Sequence, residues 1–285
     1  MALNNWMADL NDGTPITRIA IPGTHDSGAF EKCRLPSTQA HAAERNIRNQ
    51  LDIGVRALDI RCGQNTGVFS GGDQEYYIYH GGIGFNTTIK SVVTTVTEFL
   101  ADNKSEFVIL ILKQETGSVD ISVAINGIIN DANIYRQDRH KSWPTLGVLR
   151  KKVLILNRLN SNRTGGLKDQ GHYDVGGWSG NPEELEIQIP NSHLKVLLQD
   201  LWKFPTSSKK YSAIKKLLEK SVFNKNDTLY LNFMSYSWVG FNPDIFGQDT
   251  NQWLINSGVR GNGVICVDAV DEAVTDYIIK MNHES

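Results

Sequence analysis

The chain has 285 residues, 40% of them hydrophobic and 21% charged, a balance that fits a folded globular protein and excludes an extended disordered one. Its 29 Lys and Arg against 31 Asp and Glu leave a net charge of −2, so bulk charge gives no drive toward nucleic acid or an anionic bilayer. No apolar run approaches the ~20 residues that span a membrane.

Short apolar runs that stop at a polar or charged residue recur along the chain. Ile16 to Ile21 stops at Pro22, Gly23, Thr24, His25 and Asp26. Ser37 then reads as the cap of a helix through Leu51, with Ala42, Ile47 and Leu51 facing inward. Val55 to Ile60 leads through Asp59 to Arg61, and Tyr76 to Tyr79 meets His80. Thr87 to Leu100 places Ile89, Val92, Val93, Val96 and Leu100 at helical spacing. Phe107 to Leu112 meets Lys113 and Glu115, and Ser118 to Asn130 suits a helix. Val153 to Leu156 meets Asn157 and Arg158, while Val196 to Leu198 meets Gln199 and Asp200. Ser207 to Val222 reads as a helix with a Lys-rich outer face. Leu229 to Phe233 carries Asn232 and ends near Ser235. Asn242 and Pro243 open a helix that closes at Gly258. Val264 to Val267 meets Asp268, and Val270 to Met281 gives a last helix.

The eight apolar runs are too short for helices and too continuously apolar for strands with one wet face, which is the character of buried parallel strands. With mostly helical crossovers they predict an α/β fold, a single TIM-type barrel using residues 1–285, with an open doubly wound sheet as the runner-up. In a closed barrel all C-terminal strand ends meet at one mouth. That brings together His25, Asp26, Asp59, Arg61, His80, Lys113, Arg158, Asp200 and Asp268 from distant stretches of chain.

Two histidines from different strands, each with carboxylates at hand, suit a paired general base and general acid. His25 lies in Gly23-Thr-His-Asp-Ser27, and His80 is followed by two glycines that clear space beside its ring; His41 and His140 carry no such context. Arg61 and Lys113 add positive charge of the kind that stabilises a phosphoryl group in transfer. Arg158 and Asp200 offer hydrogen bonds to a polyhydroxylated group. Placement and charge together point to phosphoryl transfer within a sugar-like substrate.

At these residues the chain resembles a known family. Ile19-Ala-Ile-Pro-Gly-Thr-His-Asp-Ser27, Arg56-Ala-Leu-Asp-Ile-Arg61 and Tyr79-His-Gly81 are similar to the X-domain motifs of bacterial phosphatidylinositol-specific phospholipase C. Weaker matches continue, in the family's order, through Phe107 to Lys113, Leu154 to Arg158, Leu198 to Asp200, Leu229 to Phe233 and Gly263 to Asp268. The resemblance implies an irregular TIM barrel that cleaves phosphatidylinositol to diacylglycerol and inositol 1,2-cyclic phosphate, with slower opening of the cyclic product. It implies His25 as general base and His80 as general acid. Asp268 would orient the base, and Asp26 would assist the acid and Arg61. Asp59, Lys113, Arg158 and Asp200 would contact the inositol or the catalytic groups. Trp202 stands where the family often has a tyrosine stacked on the inositol ring, and its indole offers an apolar face instead.

Calcium-dependent relatives use Asn, Glu and Asp ligands, whereas Arg61 and Lys113 align with ligand positions here and would repel the ion; no metal and no other cofactor is expected. The partner expected is phosphatidylinositol in a membrane, with glycosylphosphatidylinositol anchors as a further substrate. Trp238 and Phe241, just beyond the seventh apolar run, are candidates for peripheral membrane contact. The Ser37 to Leu51 helix is the other rim candidate by resemblance, but it carries no tryptophan. Nucleic acid is excluded as a partner and a monomer is expected. The alternatives are a metal-dependent glycerophosphodiesterase, which would prefer a mouth richer in carboxylates, and a non-catalytic inositol-lipid module, against which the retained histidines count.

Met1 leads into Asn4, Asn5 and Trp6 without a signal-peptide core, so the expectation is an intracellular chain or one whose leader was removed. Because bacterial relatives are commonly exported, an extracellular place is expected, with the cytoplasm as the alternative. Asn86-Thr-Thr88 and Asn162-Arg-Thr164 match the glycosylation sequon at about chance frequency and decide nothing. Cys33, Cys62 and Cys266 are too few and scattered for a disulfide framework; a Cys33–Cys62 bridge is open, and isolated buried thiols are the preferred reading.

Overall fold

The apolar runs form strands that are buried on both faces, and this sets the architecture. The computed structural model describes residues 2–31, 39–64, 75–130, 132–136, 142–159, 167, 170–178, 180–223, 226–237 and 243–283. The strands are β1 (Ala20–Thr24), β2 (Ala57–Gln64), β3 (Tyr76–His80), β4 (Ile83–Thr88), β5 (Val108–Gln114) and β6 (Val153–Asn157). They continue with β7 (Tyr173–Asp174), β8 (Leu185–Gln188), β9 (Lys195–Gln199), β10 (Thr228–Phe233) and β11 (Gly263–Val267). The helices are α1 (Ile47–Asp52), α2 (Ile89–Asp102), α3 (Ser122–Ile129), α4 (Leu146–Leu149), α5 (Ser207–Val222), α6 (Pro243–Ser257) and α7 (Glu272–Lys280).

One sheet runs β7-β6-β5-β2-β1-β11-β10-β9-β8, parallel throughout except for the last pair. It is an irregular TIM-type barrel. Among the described residues, the terminal strands β7 and β8 share no backbone ladder, so the ring is left open there. Eight strands of this path run parallel, but they are not the eight expected. Tyr76 to Tyr79 is not a barrel strand: β3 pairs antiparallel with β2 and then with β4. The two-residue β7 takes the eighth parallel place beside β6. The burial of β3 alternates along the strand, which fits an excursion with one wetter face.

Period-two alternation divides the core into two layers. Val108, Leu110 and Leu112 join α2, α3 and α7 side chains in one cluster, while Ile109 and Ile111 join Leu154, Leu156, Leu229, Leu231 and Val264 in the other. Trp6 and Met7 of the N-terminal 3-10 segment pack into the second cluster. Cys62 and Cys266 are free buried thiols, and Cys33 lies outside the described residues.

The helices start where side chains satisfy their first N–H groups. Thr88 and Ser91 form a reciprocal cap on α2, Thr206 accepts from Lys209 N on α5, and Asp271 accepts from Val274 N on α7. The expected helix from Ser37 to Leu51 is shorter: it begins after Asn46, whose side chain accepts from Asn49 N at 3.0 Å, while Ser37 lies outside the described residues. The Lys-rich face of α5 is also not wholly external, because Lys210 is fully buried.

At the N-terminal ends of the strands, the Arg56 Nε donates to Glu106 Oε2 at 2.7 Å with both side chains fully buried. Arg56 also donates to the carbonyls of Asn4 and Leu51, and Glu106 Oε1 accepts from Met7 N, so the pair stitches the N-terminal segment beneath β2 and β5. Removing one partner strands the other charge. Glu106→Ala is expected to lower the unfolding free energy by about 3–5 kcal/mol in a denaturant titration, and a change within experimental error would contradict this role.

Candidate active site

The parallel ladders end together, so the residues after them share one mouth. Thr24 pairs with both Leu58 and Val267 across the β1 ladders, which places His25 and Asp26 between β2 and β11. Arg61 pairs with Lys113 across β2 and β5, and Arg158, Asp200 and Asp268 follow directly on β6, β9 and β11. His80 arrives differently. It ends the β3 excursion, where Gly81 and Gly82 turn with φ values of 55° and 86° that favour glycine.

These side chains close on one carboxylate. Asp26 Oδ2 lies 3.2 Å from His25 Nε2 and 3.1 Å from His80 Nε2, while its Oδ1 lies 2.8 Å from Arg61 Nε. The ring centroids of the two histidines are 6.2 Å apart, edge to face. Asp26 thus lies against both imidazoles and Arg61, where the family resemblance implies the acid and Arg61 as its partners. It adopts φ +43°, a strained conformation for a residue with a Cβ. His25 Nδ1 is 2.8 Å from Asp268 Oδ1, so one imidazole bridges two carboxylates. Arg61 spans Asp26 and Asp59, its Nη2 lying 3.0 Å from Asp59 Oδ2.

Electrostatics follow from this packing. Burial disfavours the charged imidazole of His25, but Asp26 and Asp268 outweigh it and push the pKa up to about 9. Burial would raise Asp26, yet Arg61, His80 and His25 hold it well below the usual carboxylate range. For Arg61 the cost of burial is outweighed by Asp26 and Asp59, so its charge is fixed. Burial pulls Arg158 down to about 10, which leaves it cationic at neutral pH.

Beside these groups opens a cavity of about 420 Å³. Arg158 lies over the Trp178 ring with its guanidinium carbon 3.4 Å from the centroid, and its buried Nη1 makes no hydrogen bond among the described residues. Trp178 Nε1 donates to Asp200 Oδ2 at 3.1 Å. Trp202 also lines the cavity, 42% exposed, with its backbone N held 2.6 Å from Asn181 Oδ1. Lys113 is paired with Glu115 at 2.5 Å. The wall is thus cationic toward Arg61 and mixed toward Asp200, which suits an anionic group joined to a polyol.

His25, Asp26, Asp59, Arg61, His80, Lys113, Arg158, Asp200, Trp202 and Asp268 are therefore brought together, whereas Trp238 and Phe241 lie outside the described residues. Four contributors escaped the sequence reading. Glu115 lies two residues after Lys113 and just past the end of β5, where an extended chain keeps it on the side of Lys113, and was legible by that spacing. Trp178 and Ser235 lie outside the strands and carry no periodic signal; the buried Ser235 Oγ has no hydrogen-bond partner among the described residues. Lys210 donates to Gln199 Oε1, Leu201 O and Phe233 O at 2.6–3.0 Å, bracing the chain on both sides of Asp200.

His25, Asp26 and Asp59 are near enough to share a cation, but the Arg61 guanidinium already lies against both carboxylates. The donor set fits a resident arginine better than a metal ion.

Comparison with known proteins shows what the chain is similar to. Residues 20–159 match the family model described as phosphatidylinositol-specific phospholipase C, X domain. The chain is 27% identical to a 1-phosphatidylinositol phosphodiesterase of Listeria monocytogenes, over 97% of this chain and 84% of the relative. A solved phosphatidylinositol-specific phospholipase C from L. monocytogenes superposes with a TM-score of 0.76 at 25% identity, covering 99% of each chain. One from Staphylococcus aureus does so at 0.80 and 25% identity, over 98% of this chain and 97% of that one. Residues 20–159 are thereby identified as an X domain of the phosphatidylinositol-specific phospholipase C family.

Proposed function

We infer that this chain is a phosphatidylinositol-specific phospholipase C, a phosphorus–oxygen lyase that releases diacylglycerol and inositol 1,2-cyclic phosphate. The observation that carries the mechanism is the pair of imidazole Nε2 atoms, each within 3.2 Å of one Asp26 oxygen, beside a guanidinium fixed at the other. His25 takes the proton from the inositol 2-hydroxyl. That oxygen bonds to phosphorus as the bond from phosphorus to the diacylglycerol oxygen breaks. His80 gives the departing oxygen its proton. Arg61 faces the non-bridging phosphoryl oxygens, where charge shifts during transfer. Arg158, Asp200 and Trp202 hold the inositol. Water opens the cyclic phosphate in a slower second step, with the two imidazoles exchanging roles.

The base acts only when neutral. Because its pKa is pushed up to about 9, His25 is mostly protonated in the free site at neutral pH, and the competent minority is correspondingly basic. Turnover needs no metal, because Arg61 supplies the phosphate-facing charge in the place an ion would take.

The same pocket suits the phosphatidylinositol core of glycosylated anchors. Trp238 and Phe241, which come after β10 in the sequence, supply peripheral contact with the membrane. Among the described residues no helix is long and apolar enough to cross a membrane.

Phosphorus NMR of phosphatidylinositol vesicles with a chelator present is expected to show the cyclic phosphate. His25→Ala and His80→Ala should each lower its rate of formation by about 10²–10⁴-fold while leaving the fold intact. Activity that disappears in chelator and returns with calcium would overturn the metal-independent reading, and a mild defect in either variant would overturn the assigned roles. Trp238→Ala is expected to weaken vesicle binding in a sedimentation assay while cleavage of soluble cyclic inositol phosphate stays nearly unchanged; equal loss of both would rule out the membrane role.

A further inference from the structure

We propose that His41 is a positioning residue that locks the His25–Asp268 pair, by tying the backbone that carries the base to the backbone that carries its carboxylate. The inference rests on the function proposed above, since it concerns the same base.

The β1–β11 ladder ends at Thr24 and Val267, one residue short of both partners. Beyond it, both chains turn through the left-handed region at residues with a Cβ, Asp26 at φ +43° and Ala269 at φ +47°. Such backbone persists only where its surroundings hold it. The residues holding it are near 41. Ala40 N and His41 N both donate to Ala29 O, at 2.9 and 3.2 Å, on the β1 side. Ala269 N donates to Ala40 O at 2.8 Å on the β11 side.

The fully buried His41 ring completes this strap. Its Nε2 lies 2.8 Å from the His25 carbonyl oxygen, which can only accept, so Nε2 carries the proton. Its Nδ1 then accepts from Val270 N at 3.5 Å. One neutral tautomer satisfies both ends, and a second ring proton would break the Val270 contact. The charged groups facing His41 are Asp268, His25 and Asp26. Burial pulls its pKa down and keeps it neutral, against the opposing pull of Asp268. On the far side, Asn251 of α6 donates to Asp268 O at 2.9 Å. His41 and Asn251 thus hold the two sides of the turn, and the 2.8 Å contact between His25 and Asp268 depends on both.

Two substitutions separate this role from simple packing. In His41→Gln the terminal amide reaches the Nε2 position and still donates to His25 O; in His41→Asn the shorter amide reaches only the Nδ1 position. The His25 ring is titrated directly by nitrogen NMR, and kcat and KM are measured on soluble inositol 1,2-cyclic phosphate. His41→Gln is expected to keep the His25 titration at about 9. His41→Asn should move it toward the ordinary 6.5 and lower kcat by about tenfold or more, as a misplaced catalytic group does, with KM little changed. Adding Asp268→Asn to His41→Asn should move the titration by less than Asp268→Asn moves it alone, since both changes act on one contact. A His25 titration that stays put in folded His41→Asn, or Gln and Asn variants that behave alike, would overturn the proposal. Failure of the wild-type chain to make cyclic phosphate would instead remove the function, and the ring titration does not depend on it.

Discussion

One buried carboxylate organises the site. Asp26 faces two imidazoles with one oxygen and a guanidinium with the other, in a position where an isolated charge would be costly. The arrangement has a consequence for proton movement. As His25 gains a proton and His80 loses one, the positive charge shifts between two neighbours of the same oxygen, and the charge around Asp26 stays constant. A shared counter-ion of this kind spares the reaction a change in its electrostatic surroundings. Asp268 breaks the symmetry, because of the two imidazoles it bonds His25, and it raises the basicity of that ring.

The barrel divides its work between its ends. At the N-terminal ends of the strands the Arg56–Glu106 pair is dry and saturated, tied to backbone carbonyls on every side. At the C-terminal ends Arg158 Nη1 and Ser235 Oγ remain without hydrogen bonds among the described residues. Both ends carry arginine and carboxylate, but the Arg56–Glu106 pair is fully buried, whereas the mouth groups line a cavity. Unspent hydrogen-bonding capacity, rather than charge, distinguishes a binding mouth from a structural plug.

The convergence of distant residues was legible in the sequence, because each strand is a continuous apolar run broken by the polar residue that follows it. Parallel strands with both faces buried leave that mark. The glycine neighbours single out His80, which lies at the mouth, but its strand is not the barrel strand expected, since four residues do not tell a barrel strand from an antiparallel excursion. The Tyr76 to His80 segment does alternate in burial, and the true eighth parallel strand, at Tyr173–Asp174, is too short to leave a pattern. The strap around His41 was hidden for another reason. Its contacts run to backbone atoms of loops more than fifteen residues away or across the barrel seam, and backbone acceptors have no residue type to read. Lys210 likewise reads as one more surface lysine until the fold buries it against three oxygens.

The most direct test of the chemistry removes the nucleophile from the substrate and leaves the protein untouched. A phosphatidylinositol analogue without the inositol 2-hydroxyl is presented in vesicles, and diacylglycerol release is followed. The account predicts binding without cleavage, because no other oxygen is placed for His25 to activate. Release of diacylglycerol at a rate near that of the natural lipid would mean that an outside nucleophile attacks phosphorus, and the two-imidazole lyase mechanism would be wrong.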